Sequence, residues 1–365
     1  MNIINEHDAL PPDTRTVVTI GNFDGVHRGH ARLIARTVEL ARGRGAASAV
    51  VTFRPHTRSI VYPELSTMLL TTLYEKAALM AKMGVDYVFL LDFDEKFREM
   101  EQEQFVEKIL AGKLRTAGWV MGEGHHVGRS RTDGKKNLHF VCGKYHINMF
   151  IEPLVISEGA AISSTRIRGL VSEGRISKAA AMLGHPYLIA AERVRGISVA
   201  KKLGSPTMNF KSPEAGKVIP PPGVYAAEVE VRGSDGNDTD GNGIKNKDTG
   251  AVNKGIDRVD GDGINKNINT GGVTVNTNKK YLTGALYFGD CPTYAGRDTH
   301  FEFHALRFDR KSIIEPAVGE ITHLWLHKFI RPNIAFSDES ALSAQIKKDV
   351  NEIKKYFSQE MLEWH

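Results

Sequence analysis

Apolar and polar positions change their period about half-way along the chain. In the first half, short apolar runs take turns with stretches of helical spacing. TRTVVTI at 14–20 reads as a buried strand, GNFDGVHRGH as a turn, and ARLIARTVELARGRG as a helix closing in glycine. The same alternation repeats through a strand at AASAVVTF, a helix at TLYEKAALMAKMG, a strand at DYVFLLDF and a helix at EQFVEKILAGK. Such an order predicts an α/β, Rossmann-like domain with a parallel sheet and helices on its faces. A strand around WVMG, a polar, hairpin-like stretch up to HINMFIEP, and helices at SSTRIRGLVSEG and SKAAAMLGH complete this half, placing a domain over residues 1–186.

From Tyr187 onward the period shortens. GVYAAEVEVR, KKYLTGALYFG and THFEFHALRF alternate apolar and polar residues, which predicts half-exposed antiparallel strands and a small β-barrel over residues 187–365. A helix returns at SALSAQIKKDVNEIKKYFSQEMLEW, with Asp338 or Ser340 as N-cap, and is expected to pack across the barrel. Between two strands, residues 233–280 are rich in Gly, Asn, Asp, Lys and Thr and hold no aromatic residue, the composition of a low-complexity, disordered insertion. Asp238, Asp240, Asn242 and Gly243 match the opening of a calcium loop, but Thr249 stands at the twelfth position and no flanking helices are apparent.

Composition narrows the partners. The 365 residues carry a net charge of +5, which suits anionic substrates but forms no concentrated basic stripe of the kind that binds nucleic acid. Cys142 and Cys291 have neither disulfide-framework nor metal spacing. No apolar h-region opens the sequence and no run approaches a membrane span, so a cytoplasmic protein is expected, with weak self-association left open.

The residues richest in chemistry are Gly21, Asn22, Phe23, Asp24, Gly25, His27, Gly29 and His30, at a strand-to-helix turn. Unpaired N–H groups at a helix N-terminus attract phosphates, and glycines let phosphate oxygens approach the backbone. His27 and His30, three residues apart, can both serve one α-phosphate as pyrophosphate departs. A surface histidine pair capping a helix is the plainer alternative. Ser163, Ser164, Thr165, Arg166 and Arg168 form a second constellation at another helix start, with hydroxyls for capping and guanidinium groups for phosphates.

GNFDGVHRGH, VTFRPH, LLTTLYEKAALMAKMGVDYVFLLDF, ISSTRIRGLVSEG and AAAMLGHPY, in that order, resemble the prokaryotic bifunctional riboflavin kinase/FMN adenylyltransferase family. The resemblance implies FAD biosynthesis, in which riboflavin is phosphorylated to FMN and FMN adenylylated to FAD, with ATP as co-substrate and Mg²⁺ as cofactor. It implies that His27 and His30 stabilise the adenylyl transition state, that Asn22 and Asp24 shape the ATP site, that Ser164, Thr165 and Arg168 hold phosphates, and that His56 lies near the flavin. LGSPTMNF, PGVYAAEVEV, LYFGDCPTY, EFHALRF and HKFIRPNIAFSDESALSAQIKKDV continue it, implying magnesium ligands at Thr207 and Asn209 and a general base at Glu302. Glu302 also reads as an ordinary outward strand residue.

The chain departs from the family at three places. Gly124, His125 and Val127 stand where the family shows GxDFxFG, GISVAKKLG replaces a glycine-rich flap, and CPT replaces a more usual Arg-Pro-Thr. Three alternatives stay open at this point: another HxGH nucleotidyltransferase, an FMN adenylyltransferase with a degenerate kinase domain, and a non-catalytic flavin-binding protein.

Overall fold

The computed structural model describes residues 1–61, 68–124, 134–195, 207–211, 216–233, 279–289, 300–306 and 313–360. The GISVAKKLG flap, the CPT segment, residues 125–133 and residues 234–278 of the insertion lie outside the described residues. The described chain divides into two compact units, Met1–Leu69 with Lys76–Ser164, and Leu70–Glu75 with the residues from Thr165 onward.

The first unit is built on a sheet of β1 (Asn2–Asn5), β2 (Thr16–Ile20), β3 (Ala47–Arg54), β4 (Tyr87–Asp92), β5 (Thr116–Gly122) and β6 (Asn148–Glu152). These run in the order β1-β4-β3-β2-β5-β6, and every neighbouring pair is parallel. Alternation along the strands gives the sheet two apolar faces. Val18, Ile20, Val51, Phe89, Trp119 and Met121 enter one core cluster, and Val17 and Val120 join Leu40 and Ala41 in another. Leu40 and Ala41 belong to α1 (Arg28–Gly43), the crossover from β2 to β3. From β2 the chain steps outward through β3 to β4, then returns to the other side of β2 with β5. The carboxyl end of β2 is thus a topological switch point, where open α/β sheets bind ligands.

The remaining helices are α2 (Thr57–Val61), α3 (Leu73–Lys82), α4 (Glu95–Arg98), α5 (Gln102–Phe105), α6 (Gly134–Lys144), α7 (Ser164–Ser172), α8 (Ile176–Leu183) and α9 (Glu339–Glu360), with a π-helical stretch at Val106–Lys113. The hairpin-like stretch expected before HINMFIEP is instead α6 followed by the parallel strand β6. Leu138, Val141 and Cys142, at helical spacing, are buried in the core, and a parallel neighbour of β5 requires a crossover element. A short hairpin does follow β6, pairing β7 (Ile156–Ser157) with β8 (Ala160–Ala161). β1 was not expected at all; its Ile3 and Ile4 are buried beside β4.

In the second unit, β9 (Tyr187–Val194), β10 (Thr207–Lys211), β11 (Gly223–Gly233), β12 (Lys279–Gly289), β13 (His300–Ala305) and β15 (Ile321–Pro332) form a closed antiparallel barrel, and the two-residue β14 (Ile313–Ile314) extends the edge of β11. Closure removes exposed sheet edges. Met208, Phe210, Leu286, Phe301 and Phe303 are buried on one side of their strands and fill the interior. On the outside, Ile353 and Phe357 of α9 pack on Val224 and Ala226 of β11. Asp338 is the N-cap, accepting a 2.8 Å hydrogen bond from the Ala341 N–H, and Arg331 of β15 holds Asp349 of α9 at 2.8 Å.

Glu75 is enclosed in this second unit. Thr72 and Glu75 form a reciprocal capping box at the start of α3, with Thr72 N–H donating to Glu75 Oε2 at 2.8 Å and Glu75 N–H to Thr72 Oγ1 at 3.2 Å. The same carboxylate accepts from the Ala190 N–H at 2.6 Å and from Lys217 Nζ at 2.7 Å. Lys217 completes its bonding on the Leu70 carbonyl at 2.6 Å and lies over the Tyr187 ring.

Candidate active sites

The loop from β2 to α1 lies at the switch point of the first unit. Gly21 still follows the sheet, its N–H donating to the Val51 carbonyl at 3.0 Å. Asn22 is held at both ends of its amide. Its Nδ2 donates to Thr57 Oγ1 at 2.8 Å, and its Oδ1 accepts from the Thr57 N–H at 3.3 Å. Phe23 (φ 49°), Gly25 (φ 81°) and Val26 (φ 39°) then turn the chain sharply through the left-handed region. For phenylalanine, and more so for β-branched valine, this backbone is costly and must be held by its surroundings. Burial of Phe23, Asp24 and Val26 supplies part of that hold.

The turn delivers His27 as the N-cap of α1. Its Nδ1 accepts from the His30 N–H at 3.4 Å, so a neutral His27 carries its proton on Nε2. His30, in the first turn of α1, stacks on His27 and takes an edge contact from Phe23, with ring centroids 5.1 Å apart. At Gly29 an added Cβ would stand 3.1 Å from Cε1 of His27, so glycine leaves room for the ring. Ser164, at the start of α7, is tied to this loop through its hydroxyl, which donates to the Asp24 carbonyl at 2.9 Å. Asn22, Asp24, His27, His30 and Ser164 are therefore brought together. Thr165 and Arg168 continue α7 and belong by their contacts to the second unit; Thr165 is exposed and Arg168 half-buried. His56 is half-buried between β3 and α2, one residue from the Thr57 that clasps Asn22, and its Nδ1 accepts from the Arg58 N–H at 3.2 Å.

Lys76 escaped the sequence reading. It is only 7 % exposed, and its Nζ donates to the Asn22 carbonyl at 2.5 Å. Burial brings its pKa down to about 8 against an upward pull from Asp24. Its position four residues before the buried Met80 places it on the apolar face of α3, a signal readable from spacing.

In the second unit, β10 and β13 pair so that Asn209 is opposite Glu302 and Thr207 opposite His304. Directly opposed residues share a face. Since Met208, Phe210, Phe301 and Phe303 are buried inside the barrel, Thr207, Asn209, Glu302 and His304 occupy its other face. Tyr287 of β12 is opposite Glu302 on the far side. Burial raises the pKa of Glu302 and lowers that of His304, which favours the uncharged form of each. Arg193 Nη1 donates to the Asn209 carbonyl at 3.3 Å. The oxygen donors of Thr207 and Asn209, side by side on one strand face, fit a hard cation that keeps other ligands from phosphate and water. Among the described residues no group of three or more His, Cys, Asp or Glu is arranged to hold a metal, and no helix is long and apolar enough to cross a membrane.

The chain thus combines a parallel switch-point domain that has an HxGH helix start with a six-stranded barrel that bears a carboxylate on its outer face. The FAD synthetase family profile matches residues 10–166 and the riboflavin kinase profile residues 183–357. Bifunctional riboflavin kinase/FMN adenylyltransferase of Pseudomonas fluorescens is 33 % identical over 227 residues, which cover 62 % of this chain and 72 % of that protein. The protein of the same description from Escherichia coli K12 is 28 % identical over 346 residues, covering 95 % of this chain and 94 % of its own. The chain belongs to the bifunctional riboflavin kinase/FMN adenylyltransferase family. A crystal structure described as a macrolide-efflux protein from Streptococcus pneumoniae shares the fold, with a TM-score of 0.71 over 96 % of this chain and 98 % of its own, at 21 % identity.

Proposed function

We propose that this chain makes FAD in two ATP-dependent steps, residues 187–365 phosphorylating riboflavin to FMN and residues 1–186 transferring AMP to FMN. The FAD synthetase profile over residues 10–166 and the riboflavin kinase profile over residues 183–357 support a division close to that boundary. The observation that carries the adenylyl step is the stacked His27–His30 pair at the N-terminus of α1. An FMN phosphate oxygen attacks the α-phosphorus of ATP, and pyrophosphate leaves. The two imidazoles donate to the charge that develops on the α-phosphoryl oxygens, and the N-terminal end of α1 adds its partial positive charge. Gly21, Asn22, Phe23, Asp24, Gly25 and Gly29 shape the nucleotide cradle; Ser164, Thr165 and Arg168 are assigned to the phosphates, and His56 to the flavin.

In the kinase step, Glu302 accepts the proton of the ribityl hydroxyl as that oxygen attacks the γ-phosphorus and ADP leaves. Its raised pKa supports a carboxylate whose proton affinity is above that of an exposed one. Thr207 and Asn209 are the residues that would hold Mg²⁺ together with the ATP phosphates. When bound, Mg²⁺ supplies neutralisation of phosphate charge. ATP and flavins are the partners, and the cytoplasm, which holds both, is the proposed place of work.

Isotope position tests the scheme. With FMN as acceptor, label at the α-phosphorus of ATP should appear in FAD and label at the γ-phosphorus in pyrophosphate. With riboflavin, γ-label should appear in FMN. Label from the α-position missing from FAD would overturn AMP transfer.

A further inference from the structure

We propose that Lys76 is a positioning residue of the adenylyl-transfer site, its buried ammonium fixing the Asn22 carbonyl and through it the loop that orients His27. The inference rests on the assignment of that loop to AMP transfer.

The geometry is a convergence on one carbonyl oxygen. Lys76 Nζ donates to Asn22 O at 2.5 Å and to Thr52 Oγ1 at 3.4 Å, while the Thr52 hydroxyl donates to the same carbonyl at 3.2 Å. Thr52 is wholly buried, Asp24 is 1 % exposed and Lys76 7 %, while Asn22 is half-buried, so the ammonium side of the contact is shielded from water. An ammonium in such a place costs stability unless its bonds are needed, and an apolar side chain of the same length would fill the space without that cost. Directly after the held carbonyl come the positive φ angles of Phe23, Gly25 and Val26. A backbone in that region relaxes when its restraints are removed. The side-chain amide of Asn22 is already fixed by Thr57, so the ammonium restrains what the amide clasp does not, the peptide plane leading into the turn.

Among the described residues the groups around the ammonium are few. Asp24 in the loop is the charged group that acts on it, β3 presents the uncharged Thr52 hydroxyl, and Glu75, its neighbour on α3, has its carboxylate on Lys217 and two backbone N–H groups. The other ionisable groups of the loop and the first turn of α1 are His27, Arg28 and His30. Since the Lys76 pKa is near 8, the ammonium loses its proton as pH rises through that value, and its hold on the carbonyl weakens.

The test uses the full chain carrying Lys76→Met, with FMN formation from riboflavin in the same preparation as the control for folding. FAD formation from FMN should fall in kcat by about 10- to 100-fold, with KM for ATP changed far less, because misplacement of reacting groups acts on the chemical step. Wild-type kcat for FAD formation should decline as pH rises through about 8, and the variant should lack that decline. Thr52→Val, which removes the lesser hold but keeps the ammonium, should lose less and retain the alkaline decline. Wild-type kcat and an unchanged alkaline limb in Lys76→Met would overturn the proposal, as would loss of FMN and FAD formation together, which marks a folding residue. If His30→Ala leaves FAD formation intact, the assignment of the loop itself is wrong; if His30→Ala abolishes it while Lys76→Met does not reduce it, only the positioning role is.

Discussion

The imidazole rings of His27 and His30 lie stacked, with centroids 3.6 Å apart and planes 16° from parallel. Three local features produce that pair. Left-handed residues Phe23, Gly25 and Val26 bend the loop, His27 caps the helix through the His30 N–H, and Gly29 leaves space where a methyl group would crowd the ring. The stack therefore follows from backbone already set before any substrate arrives, as transition-state stabilisation by fixed donors requires.

Replacing His30 by alanine removes one donor and leaves the buried part of α1 untouched. FAD formation from FMN should drop by about 10²- to 10³-fold in kcat, the range for loss of one preorganised donor. FMN formation from riboflavin should continue unchanged. Steady-state rates on the two acceptors check this, and equal loss of both would point to unfolding.

Glu302→Gln should silence phosphorylation of riboflavin and spare adenylylation of FMN. In the wild type, burial raises the Glu302 pKa above the ordinary carboxylate value. A base works only when deprotonated, so the acid limb of the kinase rate should lie above the ordinary carboxylate pKa of about 4.3. A pH profile of FMN formation reads the limb directly. A limb at or below the ordinary value would remove Glu302 from the role of base.

The pair of Glu75 and Lys217 is almost wholly inaccessible, at 0 % and 1 % side-chain exposure. Lys217→Met leaves a buried carboxylate with only backbone donors, and removing one partner of such a pair costs about 3–5 kcal/mol. The midpoint of urea unfolding should fall accordingly. An unchanged midpoint would mean that water reaches the carboxylate.

Arg232 and Lys279 are opposite each other on β11 and β12, so the long insertion leaves and re-enters the barrel at paired positions. Replacing residues 234–278 by a short Asn-Gly turn should leave both activities intact. Closing a much shorter loop should add about 2 kcal/mol of stability. Loss of either activity on deletion, measured with FMN and riboflavin in turn, would assign the insertion a role of its own.

Much of this was readable from the chain. The alternation of apolar runs and helical stretches gave the parallel sheet, and the period-two pattern of GVYAAEVEVR and THFEFHALRF gave the barrel strands and the outward side of Glu302. α6 departs from the expected hairpin because the stretch before it is polar and, among its residues with described side chains, Leu138, Val141 and Cys142 are the ones that face the core. β1 was missed because four residues are too few to carry a period, and its burial comes from β4, a partner more than eighty residues away. Lys76 was passed over for a different reason. Its spacing to Met80 marks the apolar face of α3, but a lysine there reads as carrying its charge out to solvent until the fold brings the carbonyl of Asn22 to its ammonium.

Two working reactions on one chain can be read in a single pair of assays. Purified protein with Mg²⁺ and ATP is given riboflavin in one reaction and FMN in another, and flavins are separated chromatographically over time. We expect FMN and then FAD from riboflavin, and FAD at once from FMN. FAD from neither acceptor would overturn the adenylyl-transfer assignment, and FAD from FMN alone would overturn that of the kinase.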